Sequence, residues 1–237
     1  MSGIVFIISA PSGSGKTTLT NELLRQVPDL LFSISYTTRK PRGSEMHGRE
    51  YFFISREQFE EMIRRGEFLE YAEVFGHCYG TAGRFLEEAR AEAKDLLLDI
   101  DVQGAAQVKR ALPGSVSIFI LPPSREVLEK RLRDRSQAEH VRSEEVIRRR
   151  LEAAGKEIEN YRTYDYIVVN DRLDHSVDEL KAIVAAERLK RSQGKLSPEA
   201  ESIIASAERC RLPNAQPRAQ QILASFAAPV TPGGSTR

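Results

Sequence analysis

The sequence predicts an α/β fold in which a parallel sheet is covered by helices on both faces. Short apolar runs, which are typical of buried strands, alternate along the chain with helical patterns. A glycine-rich stretch joins the first apolar run to the first helical pattern, as in folds that bind nucleotides. Residues 45–81 depart from the alternation with short strands around one helix, so we expect an inserted small α+β lobe.

The first apolar run, residues 4–8, leads into a stretch with the spacing of a phosphate-binding loop. Strand, glycine-rich loop and helix in this order bring backbone N–H groups and a helix N-terminus to one anion site. The loop residues are Pro11, Ser12, Gly13, Ser14, Gly15, Lys16, Thr17 and Thr18. Lys16 is expected to reach the β- and γ-phosphates of a nucleoside triphosphate, and the Thr17 hydroxyl to bind Mg²⁺.

One position departs from the phosphate-loop motif. Ala10 stands where the motif has its first glycine, whereas Gly13 and Gly15 keep the freedom to turn and to let a phosphate approach. The alternative interpretation of the stretch is a Gly/Ser turn beside a surface lysine. The strand before the loop and the helix after it favour the phosphate loop, and with it a sheet of the P-loop NTPase type.

Length and composition set the context and exclude little. The 237 residues are enough for a substantial core, and the net charge of +1 points to no particular partner. Without a long apolar run, or a basic segment before the first apolar run, neither a membrane span nor a signal peptide is expected. Two cysteines, Cys78 and Cys210, are too few for a disulfide framework or a metal site, which favours a reduced, cytoplasmic setting.

Further elements follow the loop in order. Residues 16–27 carry leucines at helical spacing and end at Pro28, and residues 32–36 alternate apolar and small polar side chains as a strand does. Inside the inserted lobe we expect two strands and a helix, at residues 51–54, 68–75 and 56–65 respectively. The remaining core elements are predicted as helices at 85–93, 105–110 and 177–189 and strands at 96–101, 116–121 and 166–170.

Two segments lie outside this alternation. Residues 124–161 are helical in pattern and dense in arginine, with Ser143 as a candidate N-cap. The chain after residue 191 holds five of the eleven prolines, and the net charge from Arg188 to the end is +5. Apart from a helix at 198–209, we expect this extension to be largely disordered, and deletion of residues 195–237 to leave function nearly intact.

Two acids, Asp99 and Asp101, close the predicted strand at residues 96–101 and share one face of it. Ligands of open α/β sheets bind at the carboxyl ends of the strands, so these acids are expected beside the phosphate loop. Asp99 is the candidate acid near Mg²⁺, acting through water. The alternative is a pair of solvated acids at a strand end.

A second group of polar residues falls in and near the inserted lobe. Its members are Arg39, Arg42, Glu45, Tyr51, Glu70, Tyr79 and Thr81. Guanidinium groups and tyrosine hydroxyls suit a phosphate, which arginine holds with two hydrogen bonds. A carboxylate suits a base with adjacent N–H donors, which guanine has and adenine lacks. The alternative is an ordinary charged surface.

A third group consists of the arginines between residues 125 and 150, namely Arg125, Arg131, Arg133, Arg135, Arg142, Arg148, Arg149 and Arg150. Arg131 and Arg135 are four residues apart and share one helix face. Such a segment could close over phosphates and neutralise the charge of a group in transfer. The alternative is a solvated helix or a nucleic-acid patch, and we favour this alternative for Arg133, Arg142 and Arg148.

Taken in order, these motifs resemble the bacterial guanylate kinase family over residues 2–190. The segments that carry the resemblance are residues 9–17, 33–42, 48–53, 68–72, 79–81, 98–104, 118–123 and 167–171. Ala10 is also found in members of this family. The resemblance implies a Mg²⁺-dependent, reversible transfer of the γ-phosphoryl group of ATP to GMP, giving ADP and GDP, with dGMP as a further substrate.

The resemblance also implies roles for individual residues. The GMP phosphate would be held by Arg39, Arg42, Tyr51 and Tyr79. Glu70 would bind guanine N1 and N2, Ser35 and Thr81 would bind O6, and Asp101 would lie at the base edge, with Glu45 and Asp99 in the same pocket. Asn170 would lie near the adenine of ATP. The catalytic cations would be Lys16, Arg39, Arg131, Arg135 and Arg150.

The expected organisation follows from these roles. A P-loop core would comprise residues 1–36, 94–123 and 163–190, and the other units would be a GMP lobe at 37–93, an arginine-rich lid at 124–162 and the extension at 191–237. The match is weaker in the lid, where residues 136–142 form a longer segment. Two alternatives stay open: a non-catalytic scaffold module related to guanylate kinase, and a kinase for another phosphorylated small molecule. We expect no membrane or nucleic-acid partner, and a homo-oligomer is possible.

Overall fold

The computed structural model describes residues 3–74, 76–138, 144–192 and 196–227. The strands among these residues are β1 (Val5–Ser9), β2 (Leu30–Phe32), β3 (Tyr36–Thr37), β4 (Phe52–Phe53), β5 (Phe68–Val74), β6 (His77–Ala82), β7 (Asp95–Asp99), β8 (Val116–Leu121) and β9 (Tyr166–Val169). The helices are α1 (Lys16–Gln26), α2 (Arg56–Arg64), α3 (Arg84–Ala91), α4 (Val102–Ala111), α5 (Arg125–Ala138), α6 (Glu144–Ile158), α7 (Leu173–Arg191), α8 (Pro198–Cys210) and α9 (Leu212–Ala227), with a 3-10 turn at Glu159–Thr163.

Five parallel strands form the central sheet in the order β2-β7-β1-β8-β9. Strand β1 lies in the middle, where Val5 pairs with Leu96 of β7 and Phe6 pairs with Val116 of β8. All five residues of β1 are buried, as its unbroken apolar run predicts. The predicted parallel sheet flanked by helices is therefore confirmed.

Helices cover both faces of this sheet. Because alternate side chains of a strand point to opposite faces, Phe6 and Ile8 of β1 pack with α1 and α7, whereas Val5 and Ile7 pack on the side of α3, α4 and α9. Buried leucines of α1 and α7, such as Leu19 and Leu180, fill the first layer. None of the described helices is long and apolar enough to cross a membrane.

A second, four-stranded sheet forms the inserted lobe, in the order β4-β3-β6-β5. Its β3–β4 pair is parallel, and the β3–β6 and β5–β6 pairs are antiparallel. Helix α2 begins with a capping box in which the Ser55 hydroxyl accepts from the backbone N–H of Gln58 and the Gln58 side chain accepts from Ser55 N–H. Phe59 of α2 stacks on Phe68 of β5, with 4.5 Å between ring centroids.

The single strand predicted at residues 32–36 is wrong, because the structure divides it between the two sheets. Phe32 ends β2 beside β7, and the Ser33 N–H donates to the carbonyl oxygen of Leu97 at 3.1 Å. Tyr36 begins β3, which pairs with β6 of the lobe. The alternation of apolar and polar residues is the same in both halves, so it carries no information about which partner strand each half meets.

The arginine-dense segment forms two helices, α5 and α6, which we call the α5–α6 pair. Their facing side chains make a small core of five buried residues, Leu128, Leu132, Ile147, Leu151 and Ala154. The candidate N-cap Ser143 lies outside the described residues, as do residues 139–142 of the longer segment. The apolar stripe of α6 thus faces α5.

The chain after residue 191 is not largely disordered over its described part, so that expectation is wrong for residues 212–227, which form α9. Helix α8 was anticipated, but α9 was not. Ala207 and Cys210 of α8 are buried against α7, and Ala219 and Ile222 of α9 are buried on the other face of the sheet. Because these side chains belong to the core, we no longer expect deletion of residues 195–237 to be harmless.

Asp95, at the start of β7, joins distant parts of the core. Its Oδ1 accepts from the backbone N–H of Ile4 at 2.6 Å, and its Oδ2 accepts from Nε of Arg188 at 2.7 Å. Arg188 lies near the end of α7 and also donates to the carbonyl oxygen of Pro28 at 2.8 Å. A buried carboxylate with these partners fixes the start of β1 against the last helix of the core.

Candidate active site

The phosphate loop connects β1 to α1 and turns at two glycines in the left-handed region. Gly13 and Gly15 have φ angles of 89° and 88°, which side chains with a Cβ rarely adopt. The Ser14 N–H donates to the carbonyl oxygen of Pro11 at 3.1 Å, which closes the turn. Gly15 is the N-cap of α1 and provides no side-chain cap, so the first N–H groups of α1 are available to an anion.

Close neighbours also require glycine at both positions. A Cβ on Gly15 would collide with the side-chain amide nitrogen of Asn170. That amide donates to the carbonyl oxygen of Ser14 at 2.7 Å. Asn170, which follows β9, therefore helps to hold the phosphate loop in place. A Cβ on Gly13 would come within 2.9 Å of Leu132 and 3.0 Å of Leu128, both on α5. Helix α5 therefore packs directly on the phosphate loop.

Lys16, the first residue of α1, forms an ion pair with Asp99 at the end of β7. Its ammonium group also lies 3.5 Å from the carbonyl oxygen of Ile100. Burial acts to lower the pKa of Lys16, but the charge and hydrogen bond of Asp99 prevail and raise it above its usual value. Lys16 is therefore a cation at neutral pH, held beside the phosphate loop.

Asp101 has a structural partner that the sequence did not predict. Strand β7 ends at Asp99, and Asp101 is the N-cap of α4. Its Oδ1 accepts from the Gly104 N–H at 2.8 Å, and its Oδ2 accepts from the side-chain amide of Gln103 at 3.3 Å. The prediction that Asp99 and Asp101 share one face of a strand is therefore wrong, because the strand has ended before Asp101.

In the lobe, Arg39 is only 6% exposed and is held by Glu45. Two guanidinium nitrogens of Arg39 donate to the two carboxylate oxygens of Glu45 at 2.5 and 2.7 Å. The guanidinium carbon lies 4.9 Å from the ring centroid of Tyr51, and Glu45 also accepts from the backbone N–H of Arg42 at 2.8 Å. The hydrogen bond with Glu45 raises the pKa of Arg39, and the pair fixes the direction of the guanidinium plane.

Glu70, on β5, is only 4% exposed and lies opposite Thr81 of β6. Burial raises the pKa of Glu70 to about 7, while the neighbouring Thr81 acts to lower it. A Cβ on Gly104 would collide with the Glu70 carboxylate, so the first turn of α4 touches it closely. Ser35 is buried too, and its carbonyl oxygen accepts from the Phe52 N–H at 2.9 Å. The lobe thus contains a carboxylate and a hydroxyl on neighbouring strands.

Tyr51 and Tyr79 line the same part of the lobe, with ring centroids 6.0 Å apart. Burial raises the pKa of the Tyr51 hydroxyl, and the charge of Asp99 raises it further. Lys16 acts on the same hydroxyl in the opposite direction. These charges of the core thus act on a lobe residue, and the first turn of α4 touches Glu70, so the lobe lies beside the phosphate-loop end of the central sheet.

Arg131, one of the predicted lid arginines, contacts the phosphate loop. It donates to the carbonyl oxygens of Asn170 at 3.0 Å and Ser14 at 3.4 Å, and burial lowers its pKa. Arg150 lies half-buried on α6. The side chain of Arg135 is outside the described part of α5.

Several other arginines of the α5–α6 pair form surface ion pairs. Arg133 donates to Glu129 at 2.8 Å and to Glu144 at 2.5 Å, and the exposed Arg148 lies 3.8 Å from Glu152. Both arginines thus take part in ion pairs at the surface of the α5–α6 pair, and the alternative favoured for them stays a prediction. Arg142 is outside the described residues.

One residue near the cleft was missed. Burial raises the pKa of Glu157 on α6 to about 7, while the backbone N–H of Ser12 in the phosphate loop acts to lower it. The charges of Lys16 and Asp101 also act on it, in opposite directions. Its position three residues after the buried Ala154 is a signal that could have found it, since residues at this spacing share a helix face.

A phosphate loop that faces a second polar pocket across one cleft suits an enzyme that moves a phosphoryl group between two bound partners. The fold and the site thus define the class of P-loop phosphotransferases. The family model described as guanylate kinase matches residues 3–187. The chain belongs to the guanylate kinase family.

Similar proteins support this assignment. The guanylate kinase of Koribacter versatilis is 61% identical over 226 residues, which cover 95% of this chain and 97% of that protein. The guanylate kinase of Geobacter metallireducens is 54% identical over 188 residues, or 79% of this chain and 91% of that protein. The crystal structure of guanylate kinase from Anaplasma phagocytophilum matches with a TM-score of 0.67 at 34% identity, and covers 80% of this chain and 88% of that one.

Proposed function

We infer that the chain catalyses the reversible transfer of the γ-phosphoryl group of ATP to GMP, giving ADP and GDP. Its family membership supports the reaction, and one observation supports the acceptor. Glu70 is a buried carboxylate opposite a threonine hydroxyl in a lobe that faces the phosphate loop. A carboxylate is matched by the adjacent N1–H and N2–H donors of guanine, and a hydroxyl by O6.

We propose that the lobe binds GMP at two ends. Glu70, Thr81 and Ser35 would contact the base, and Arg39, Arg42, Tyr51 and Tyr79 the phosphate. Glu45 would act through Arg39, since both of its oxygens are engaged there. Asp101 would act through α4, whose first turn touches Glu70. Both acids thus become positioning residues in this proposal rather than direct ligands of GMP.

ATP is proposed to bind the phosphate loop, residues 11–18, with Lys16 at the β- and γ-phosphates. The attacking group is a phosphate oxygen of GMP, which is already a nucleophile, so the protein needs no catalytic base. Its work is to align the two phosphates and to balance charge, for which Lys16, Arg39, Arg131, Arg135 and Arg150 are the candidate cations. Asn170 would support the loop through Ser14 and lie towards the adenine.

The α5–α6 pair is proposed to act as the lid of residues 124–162. Arg131 already reaches the loop at Ser14, so a small shift of α5 would bring its guanidinium group to a bound phosphate. Covering the cleft excludes water, which prevents the hydrolysis of ATP when no acceptor is bound. We propose that Arg131, Arg135 and Arg150 approach the bound phosphates together when the lid closes.

Mg²⁺ is the proposed cofactor, with Thr17 as its ligand and Asp99 acting through water. The residues fit this ion, because hydroxyl and carboxylate oxygens are hard ligands and Thr17 is exposed in the first turn of α1. The described residues include no cluster of three or more His, Cys, Asp or Glu that could hold a metal alone. That suits an ion bound mainly through the phosphates and water. Bound Mg²⁺ would neutralise part of the charge on the phosphates.

A cytoplasmic setting remains our expectation, and both cysteines are free thiols. The reaction is tested by release of ADP from ATP with GMP, dGMP, AMP, CMP or UMP as acceptor. We expect turnover with GMP and dGMP, and a kcat/KM for AMP that is lower by roughly 10⁴, because AMP would leave Glu70 without donors. No turnover with any acceptor would favour a scaffold, and better use of another acceptor would favour a different small-molecule kinase.

A further inference from the structure

Helix α9 is anchored to the core at both ends of β9. The Leu212 N–H donates to the carbonyl oxygen of Asp165 at 3.0 Å, just before β9. Arg218 forms a 2.6 Å ion pair with Asp171, which follows β9 and adjoins Asn170. Between these points, Ala219 and Ile222 are buried in the core. All residues of α9 lie beyond the span 3–187 that matches the family model.

The C-terminal end of α9 contacts the α5–α6 pair. The Ser225 hydroxyl accepts from the Arg125 N–H at 3.2 Å, and Arg125 is the first residue of α5. Ser225 thereby satisfies an N–H group that a helix leaves unpaired at its N-terminus. Phe226 packs against the small core between α5 and α6, and a Cβ on Gly155 of α6 would lie 3.8 Å from its ring. One end of α9 thus touches both helices of the pair.

The α5–α6 pair in turn contacts the phosphate loop. Leu128 and Leu132 of α5 lie against Gly13, and Arg131 reaches Ser14. Leu128 and Leu132 are the same side chains that form the small core with Phe226. A continuous set of packed residues therefore runs from the core through α9 and α5 to the loop.

We propose that Phe226 and Ser225 are positioning residues for the reaction, which hold the α5–α6 pair at the distance from the phosphate loop that Arg131 needs. Neither residue touches a substrate. They act through α5: Ser225 fixes its first turn, and Phe226 fixes its packing on α6. The inference rests on the proposed lid function of the α5–α6 pair. It adds that α9 determines the position of this pair relative to the phosphate loop.

The test compares Phe226→Ala with Phe226→Leu and with Gln220→Ala, a matched control at an exposed position of α9. For each full-length variant we would measure kcat, the KM for GMP, thermal unfolding and hydrogen exchange of backbone amides. We expect Phe226→Ala to lower kcat by about tenfold or more, since misplacement of a catalytic group by about 1 Å is costly. The KM for GMP should stay within about twofold, because the GMP lobe is untouched.

Hydrogen exchange supplies the readout that a general loss of stability would not reproduce. In Phe226→Ala, exchange should be faster in α5 and α6 and unchanged in β1, β7 and β8. Phe226→Leu should restore most of kcat, and Gln220→Ala should match the wild type. Ser225→Ala should speed exchange in the first turn of α5 alone.

Other results would overturn the proposal. It fails if Phe226→Ala keeps the wild-type kcat and exchange, or if exchange rises equally in the central sheet, because the ring would then serve only general stability. A further variant, Arg131→Ala, tests the proposed lid function separately from the proposed role of α9. Wild-type kcat in Arg131→Ala would remove the lid function, while exchange in Phe226→Ala would still decide whether α9 holds α5–α6.

Discussion

The guanidinium group of Arg39 and the carboxylate of Glu45 face each other with two hydrogen bonds, at 2.5 and 2.7 Å. If Arg39 holds the GMP phosphate, Glu45 determines the direction in which its remaining donors point. We predict that Glu45→Gln raises the KM for GMP by about tenfold, as expected for the loss of a hydrogen bond between charged groups. Steady-state kinetics with varied GMP would measure this.

The control is Glu50→Gln. Glu50 pairs with Arg49 at 2.6 Å in the same loop, where both side chains are more exposed. Exposed pairs contribute little, so its KM for GMP should equal that of the wild type. If Glu45→Gln and Glu50→Gln behaved alike, the positioning role of Glu45 would be lost.

The raised pKa of Glu70 predicts how the KM for GMP depends on pH. Its pKa of about 7 in the free protein means that the carboxylate is half-ionised near neutrality. Only the ionised form accepts from the guanine donors, so the KM for GMP should rise about fivefold between pH 7 and pH 6, and about tenfold for each further unit. Glu70→Gln should show a higher KM with a flat profile. A wild-type KM that is constant over this range would contradict the assignment.

The same raised pKa of Glu70 predicts that the stability of the folded protein changes with pH in the opposite direction to GMP binding. A folded-state pKa raised above the usual value favours the protonated carboxyl group in the free enzyme. The stability it contributes is complete at acidic pH, below the usual pKa of glutamate, and is lost as the pH rises through about 7. Thermal unfolding without nucleotides should therefore show that Glu70→Gln gains stability over the wild type above pH 7 and gains none near pH 4. Glu157→Gln, with a similar pKa, is needed as a parallel variant.

Gly15→Ala tests the geometry of the phosphate loop. The substitution combines a φ of 88° with a collision between the new Cβ and the Asn170 amide. We expect loss of measurable ATP binding in a nucleotide titration. The matched variant is Gly76→Ala, where φ is 79° and no atom lies within 4 Å of the Cβ. It should lose only about 1 kcal/mol of stability, from backbone strain, and keep its affinity for ATP.

Ile222→Ala tests whether α9 belongs to the core. Ile222 is 5% exposed, and truncation of a buried isoleucine costs about 2–5 kcal/mol, so unfolding in denaturant should shift accordingly. Gln221→Ala, at the exposed neighbouring position, should change stability by no more than about 0.5 kcal/mol. A chain that lacks residues 195–237 should be less stable still. Unchanged stability in Ile222→Ala would restore the view of the extension as dispensable.

The buried strands and the phosphate loop could be predicted because their signals are local. An unbroken apolar run such as residues 4–8 is typical of a buried strand, and the glycines of the loop stand between a strand and a helix. The resemblance to the family added the pocket residues, for which spacing alone left alternatives. Pairings that depend on partners far along the chain could not be derived in this way.

Three errors show where local signals fail. Residues 32–36 look like one strand although their halves serve two sheets. Asp101 looks like part of a strand although it caps a helix. The extension looks disordered because of its prolines, yet Pro213 falls in the first turn of α9, where it is tolerated. The apolar stripe at residues 219, 222, 223 and 226 has helical spacing and would have indicated α9.

Asp95 has a consequence for how the chain is made. Its partners are Ile4, 91 residues earlier, and Arg188, 93 residues later. During synthesis the N-terminus leaves the ribosome first. Strand β1 therefore leaves the exit tunnel long before α7, which carries Arg188, has been made. The Asp95 carboxylate can acquire its second partner only when α7 has been synthesised. Completion of the core is thereby delayed until the whole family-matched span, residues 3–187, has been translated.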